Sequence, residues 1–475
     1  MRNCFALTAA SVILLASETT IAASISDIER FQKDDGALNL YLRSVQINVK
    51  SKNDLIENDF GGFPDGSRLG GHAVGAILDY NSPYLADSVG IDASYYAVGE
   101  VAAEDNSMGL LQDEKKRSFV KLGQAYLKGR YRSDNYTISG QFGRGRFESA
   151  TVSTRDTRVA PDSYFGGRVA LSVTGPAVFG LDTSLKLDGV RITQSSLRNN
   201  GGFDFIRSES NQRIKNVTSV GAEFDMKVLK VMYGAGIASE FNKNQVLKIS
   251  LKAPLPNDGG VILNYQHHKL SGFGDIWEKD FLSGASAYES EANFRNINIG
   301  YVNGGFRAGI SLAKTRAKSG RTTPFGTEVV GYAYLDHGSN VIGNYDAWTL
   351  IGNDFNNDGE VTRQIAFEYD MNKTNLTSNP LDGVVFGIIH KIGKFDATDP
   401  MPLFLGGDPA IRNVMERQTE YHIYYRFDEK DYSGISAGMA YTNYNINKDF
   451  VALVAAQNSN VVTGDELRIY VDYAF

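Results

Sequence analysis

The sequence YTISGQFGRGRF (Tyr136–Phe147) runs directly into ESATVSTRDTRVAPDSYF (Glu148–Phe165) and then Gly166-Gly167. The first part alternates polar and apolar residues as a β-strand does. The second opens no helix, carries Glu148, Arg155, Asp156, Arg158 and Asp162, and meets no obvious next strand before Gly167. Structureless connections of that length inside a compact fold are uncommon and usually functional. In a closed β-barrel, a long loop with both charge signs can fold back into the lumen and narrow it. Glu148–Gly166 is therefore expected to be a constriction loop, the alternative being a loop lying over the mouth.

The ends of the chain fit a barrel. Arg2, the apolar run Phe5–Ala16 and the small residues up to Ala22-Ala23 have the plan of a secretory signal peptide, expected to span 1–23 and leave one domain over 24–475. The single Cys, Cys4, lies within that leader, which leaves no thiol for a disulfide or a thiolate metal site in the mature chain. Beyond the leader no apolar run approaches the ~20 residues of a membrane-spanning helix.

Composition agrees. The 475 residues include 49 Gly, 25 Tyr and 26 Phe but only 11 Pro, with a formal net charge of −7 that leader removal leaves unchanged, because Arg2 and Glu18 cancel. No Pro/Ser linker or charge block marks a domain boundary. The mild acidity and the lack of a basic, aromatic-interleaved cluster argue against a nucleic-acid partner.

Alternating segments recur along the chain, and eighteen are read: 37–49, 71–82, 89–101, 120–133, 136–146, 167–174, 178–192, 217–227, 229–242, 246–253, 259–270, 289–301, 305–317, 362–370, 383–394, 419–428, 434–446 and 465–475. Most approach the ~9–11 residues with which a tilted strand crosses a bilayer. The gaps after segments 1, 3, 5, 7, 11, 13, 15 and 17 are long, whereas those after even-numbered segments are mostly tight, as at Asp134-Asn135 or Val302-Asn303-Gly304. Short turns at one end and long loops at the other are the plan of an outer-membrane barrel. The fold class is thus all-β: a transmembrane antiparallel barrel of about 18 strands, with short periplasmic turns, long extracellular loops and the third loop in the lumen.

Period-two patterning separates the faces. In one segment Leu181, Leu185 and Leu187 oppose Asp182, Ser184, Lys186 and Asp188; in another Tyr421, Ile423, Tyr425 and Phe427 oppose Glu420, His422, Tyr424 and Arg426. The polar sets are too charged to pack as a dry core, and a water-filled lumen removes that cost. The last segment ends at Phe475 with Leu467, Ile469, Val471 and Tyr473 on one face, the form of a C-terminal signal for barrel-assembly machinery.

Four stretches resemble the OprD-type substrate-specific outer-membrane porins, a family that includes chitoporin-like members. They are GALNLYLRSVQIN (Gly36–Asn48), RDTRVAPDSYFGG (Arg155–Gly167, with Arg155 in place of the family's usual Asn), DFNNDGEVTRQIAFEYDM (Asp354–Met371) and LRIYVDYAF (Leu467–Phe475). The resemblance implies an eighteen-stranded barrel, monomeric or loosely trimeric. It also implies an eyelet made by the inward-folded third loop, carrying Arg155, Asp156 and Arg158, opposite a basic wall that guides carboxylate-bearing solutes. Arg43 and Arg158 match family motifs. Parity adds Lys128, Arg130, Arg426 and Arg468 to the basic wall. Arg144 and Arg146 conflict with parity, since strict alternation from Ile138 and Phe142 points them at lipid unless a bulge or the upper rim intervenes.

Other signals are weaker. Asp354, Asn356, Asp358 and Gly359 have the opening spacing of a calcium loop, but its twelfth position is Ile365 where Glu is needed. His267-His268 cannot chelate together, because neighbours in a strand point to opposite faces; no metal site and no cofactor is expected. An outer-membrane barrel enzyme (lipase or protease type) is the alternative from another class, yet none of the six His stands in a recognisable nucleophile–base motif. A gated receptor barrel would need a plug, and Ser24–Asp35 is too short to fill the lumen. The expected function is passive, substrate-selective diffusion of small hydrophilic solutes (amino acids, carboxylates or short oligosaccharides), with outer-membrane lipid and the assembly machinery as the other partners. Tyr332, Tyr334, Tyr345 and Trp348 are candidates to stack sugar rings or to pack on one another.

Overall fold

The computed structural model describes residues 36–51, 68–103, 118–152, 154, 158–178, 181–199, 201–208, 211–256, 259–282, 291–318, 355, 359–371, 381, 383–397, 411–426, 434–450 and 464–474. The strands are β1 (Leu38–Ser51), β2 (Arg68–Asn81), β3 (Val89–Ala103), β4 (Phe119–Arg132), β5 (Tyr136–Gly145), β6 (Ser163–Val178), β7 (Leu181–Ser196), β8 (Asp204–Phe205), β9 (Val217–Asp225) and β10 (Leu229–Ala238). They continue as β11 (Asn242–Pro254), β12 (Gly260–Gly272), β13 (Glu291–Asn303), β14 (Phe306–Lys318), β15 (Val361–Asp370), β16 (Val384–Ala397), β17 (Ile411–Arg426), β18 (Ile435–Ile446) and β19 (Gly464–Ala474). A helix, α1 (Gly274–Leu282), follows β12.

Every long strand pairs antiparallel with the next, β7 pairs directly with β9, and β1 pairs with β19 from Tyr41↔Ala474 to Ser51↔Gly464. The sheet is thereby a closed ring of eighteen strands, and β8 is a two-residue spur on the upper end of β7. Closure gives the backbone amides and carbonyls of each strand partners on both sides, the condition for a sheet to cross a hydrocarbon layer.

All eighteen expected segments form, with two notable corrections of boundary. The third loop is residues 146–162 rather than 148–166, because Ser163–Gly166 already pairs with β5 and β7, across an irregularity at Phe165/Gly166. β17 begins at Ile411, eight residues before the expected 419, pairing with β16 past a bulge at Phe395/Ala397.

The outward face is apolar. Ile91, Val169 and Ile310 are 54%, 61% and 57% exposed, and Leu127, Ile138, Ile297, Leu312, Ile365 and Ile423 share that face. A water-soluble chain does not leave so continuous an apolar surface uncovered; in lipid each such side chain gains ~1.5–3 kcal/mol over exposure to water. At the short-turn end, aromatic pairs flank the β4/β5, β13/β14 and β15/β16 turns: Tyr131–Tyr136 at 5.9 Å, Tyr301–Phe306 at 6.4 Å and Tyr369–Phe386 at 5.9 Å. That is one of the two aromatic girdles by which transmembrane barrels sit at the interface. Among the described residues no helix is long and apolar enough to cross a membrane.

The inward face is not uniformly polar. One apolar cluster, around Val45, Ile47, Ala73, Ile77, Tyr96 and Tyr470, lines the wall at β1–β3 and β19. A second gathers Val190, Ile192, Val217, Phe241 and Trp277 at the long-loop end. Both receive the third loop.

Candidate functional site

The third loop crosses the lumen between those two clusters. Phe147 and Val152 belong to the second, while Val159 and Ala160 near the apex belong to the first. Two glycines make room: a Cβ at Gly234 of β10 would stand 2.0 Å from Ala150 Cβ, and one at Gly75 of β2 would stand 2.3 Å from Val159 Cγ1. Polar contacts reinforce the packing. Thr151 Oγ1 donates to Ser219 Oγ of β9 at 2.7 Å, and Ser149 Oγ lies 2.8 Å from the same atom. Near the return to β6, Asp162 Oδ1 accepts from the Arg198 amide at 2.5 Å. A loop that leaves β5, touches β9 and β10, then β1–β3, and re-enters at β6 lies across the bore.

Arg43, expected on the basic wall, anchors this loop. Its Nη1 donates to the Arg158 carbonyl oxygen at 3.0 Å while its Nε meets Asp472 Oδ1 at 2.7 Å. The Arg158 side chain has Arg198, Arg468, Tyr470 and Glu466 as its electrostatic neighbours, and burial, then Arg198 and Arg468, push its pKa down. A guanidinium remains protonated in proteins even so, so Arg158, Arg198 and Arg468 gather three positive charges beside Glu466. Sequence reading named the first and third; Arg198 comes from the next loop and carried no signal of its own.

Lys128 and Arg130 face the lumen as parity indicated. Lys128 Nζ sits 2.7 Å from Asp92 Oδ1, and Arg130 pairs with Asp87 and stacks over Tyr84 at 3.7 Å. Arg468 pairs with Glu466. Each described member of the expected basic wall therefore has a carboxylate partner, so the wall is a series of ion pairs. Arg155 and Asp156 of the loop and the side chain of Arg426 lie outside the described residues, as do residues 1–23, Ser24–Asp35, Asp354, Asn356, Asp358, Tyr332, Tyr334, Tyr345, Trp348 and Phe475.

The parity conflict resolves without a bulge in β5. Arg144 keeps its alternating place, with its guanidinium 4.0 Å from the Phe203 ring centre. The strand ends at Gly145, so Arg146 is released from alternation and turns inward, 3.7 Å from Asp79 of β2. Glu148, just beyond, accepts from the Thr154 amide at 2.6 Å. Burial, opposed by that bond and by Arg168 and Arg146, raises its pKa to about 7.

A third group of charges lies on the far wall. Arg307 Nη1 of β14 meets Glu368 Oε1 of β15 at 2.7 Å, and His422 of β17 lies 3.5 Å from Glu368 Oε2 and 3.3 Å from Glu420 Oε1. Gly387 of β16 stands between Glu368 and His422, and a Cβ there would come within 2.3 Å of His422 Nε2. The missing side chain is what lets the imidazole reach across a strand. His268 faces inward and packs against Phe294 at 6.1 Å, and His267 takes the other face beside Asn293, so the two histidines diverge as expected. Among the described residues no group of three or more His, Cys, Asp or Glu is placed to hold a metal ion.

No family model matches the chain, and no curated protein does. Solved porin structures are similar in fold. OccK8 (OprE) of Pseudomonas aeruginosa superposes with a TM-score of 0.66 at 16% identity, over 93% of this chain and 98% of that one. OccAB1 of Acinetobacter baumannii gives 0.68 at 14% identity over 94% and 99%. A BenF-like porin from Pseudomonas fluorescens gives 0.67 at 13% identity over 93% and 98%. Over 93–94% of its length the chain thus has the fold of these Occ/OprD-type barrels, at an identity too low to carry residue roles across.

Proposed function

We propose that this chain is an outer-membrane porin through which small hydrophilic solutes pass by diffusion, selected at the constriction formed by residues 146–162. The observation that carries it is the course of that loop: it is packed at Ala150 against β10 and at Val159 against β2, inside a closed barrel with an apolar outer face. Such a loop divides the bore and leaves the passage lined by fixed charges, where low local dielectric strengthens each of them beyond its surface value. Arg155 and Asp156, with Arg158, supply the charges of the loop, and Arg43, Lys128, Arg130, Arg426 and Arg468 those of the wall; Arg158, Arg198 and Arg468 bias the passage toward anionic groups. Residues 1–23 serve as the cleaved leader, and 24–475 form the barrel, inserted by the assembly machinery and surrounded by lipid.

Planar-bilayer reconstitution tests this reading. The purified, heat-modifiable barrel is expected to give discrete, roughly ohmic conductance steps with a reversal potential on the anion side in a salt gradient. A folded barrel that inserts and conducts nothing would overturn it.

A further inference from the structure

The charged groups described above leave one stretch of wall untouched. On β12–β15, opposite the β5/β6 origin of the third loop, pairing places Asn264 beside Asn298, Asn298 beside Ser311 and Ser311 beside Gln364. Immediately toward the long-loop end, Gln266 pairs with Asn296. These residues face the lumen, because their neighbours Leu263, Ile297, Ile299, Ile310, Leu312 and Ile365 occupy the exposed outer face. Immediately toward the turn end, Ile262 pairs with Gly300, Gly300 with Gly309 and Gly309 with Ala366, so on β13–β15 no side chain larger than a methyl stands beneath the row, which Ile262 bounds on β12.

We infer that this row is a binding track for neutral, hydroxyl-bearing solutes, distinct in chemistry from the charged constriction. Each Asn or Gln presents a two-donor amide nitrogen and an acceptor oxygen side by side, and a sugar hydroxyl both donates and accepts. A band of amides therefore replaces the hydration of a polyol as it advances, one hydroxyl at a time, without the deep trap that a fixed charge sets for an ion. Four adjacent strands span about 14 Å at the ordinary inter-strand spacing, room for two linked sugar rings lying along the wall. Gln364 Oε1 is buried and has no hydrogen-bond partner among the described residues, so an acceptor is held ready in the row. Ser311 Oγ donates to Asn296 Oδ1 at 2.6 Å, tying the two rows into one surface. The small residues beneath leave a recess where a ring can approach the backbone. Lys248, which pairs with Gln266, and Lys391, which pairs with Gln364, bracket the track.

This inference rests on the porin reading and deepens it, and its test separates the two. Glucose and gluconate share a carbon skeleton and differ by a carboxylate, so their influx into proteoliposomes, measured by swelling, distinguishes the amide track from the charged one. In the double variant Asn298→Leu/Gln364→Leu, glucose influx is expected to fall at least about fivefold, as the loss of two modest hydrogen bonds gives, while gluconate influx and KCl conductance stay within experimental scatter. Asn298→Asp, nearly unchanged in shape, should slow gluconate and leave glucose entry intact. If the double variant slows both solutes equally, or neither, the track is wrong while the porin reading stands. If the wild-type barrel passes neither solute and no KCl current, it is the porin reading that fails.

Discussion

The Arg43 guanidinium reaches the Arg158 carbonyl oxygen at 3.0 Å and, through its other face, Asp472 at 2.7 Å. The first strand, the constriction loop and the last strand are thereby joined at the seam where the barrel closes. Removing Arg43 leaves a buried carboxylate and a buried carbonyl without their donor, a loss of about 2 kcal/mol or more. Arg43→Ala is expected to raise single-channel conductance and open-channel noise, because the loop leaves the wall part of the time; Arg43→Lys, which keeps one charge but not the fork, should fall between. Unchanged traces would show that the loop is held without it.

The apolar contact of the apex is a separate anchor. Val159→Asp places a carboxylate in the cluster of Val45, Ile77, Tyr96 and Tyr470, where burial of an unpaired charge costs on the order of several kcal/mol. The loop is expected to swing off the wall rather than bury it. Conductance should rise, with little change in the thermal stability of the barrel followed by heat-modified gel mobility.

Glu148 makes the loop sensitive to pH. Its pKa in place is raised to about 7, by burial first, against about 4.3 for a solvated Glu. The seated loop thus binds more protons than the released loop between those values, so the seated state loses stability as pH rises through that window, and the loss is complete above about 7. Open-channel noise is expected to increase from pH 5 to pH 8 with a midpoint near 7, and Glu148→Gln should remove the dependence. A pH-independent wild type would contradict this.

Selectivity follows the guanidinium cluster. Arg158→Ala and Arg468→Ala should each shift the reversal potential toward cations, and Asp156→Ala toward anions. All three shifts should shrink as salt is raised from 0.1 M to 1 M, where the screening length falls from ~10 Å to ~3 Å.

The barrel was legible in the sequence because its two determinants are local: period two along each segment, and gaps that alternate between long and short. Eighteen segments and the inward faces of Lys128, Arg130 and Arg468 follow from that alone. What those side chains meet is not local. Asp92 and Asp87 approach from a neighbouring strand and turn, Asp472 lies 429 residues from Arg43, and Arg198 arrives from another loop. Arg146 was misleading because alternation holds only while the strand lasts, and β5 ends one residue earlier. Val159-Ala160, an apolar pair in a charged loop, was the available sign that the apex is buried; it gained meaning only when Gly75 proved to lie opposite. The His422–Glu368 contact depends on an absent side chain at Gly387, two strands' pairing away from any sequence pattern.

Removing the loop itself tests the constriction most directly. Deleting Thr151–Arg158 takes out the Thr151 contact with Ser219 of β9 and the Arg43-bound carbonyl while leaving every strand intact. Single-channel conductance and reversal potential, recorded together in a salt gradient, should show a larger conductance and a weaker ion preference than wild type. Conductance and reversal potential equal to those of the wild type would mean that residues 146–162 do not line the path, and the constriction would have to be sought elsewhere in the bore.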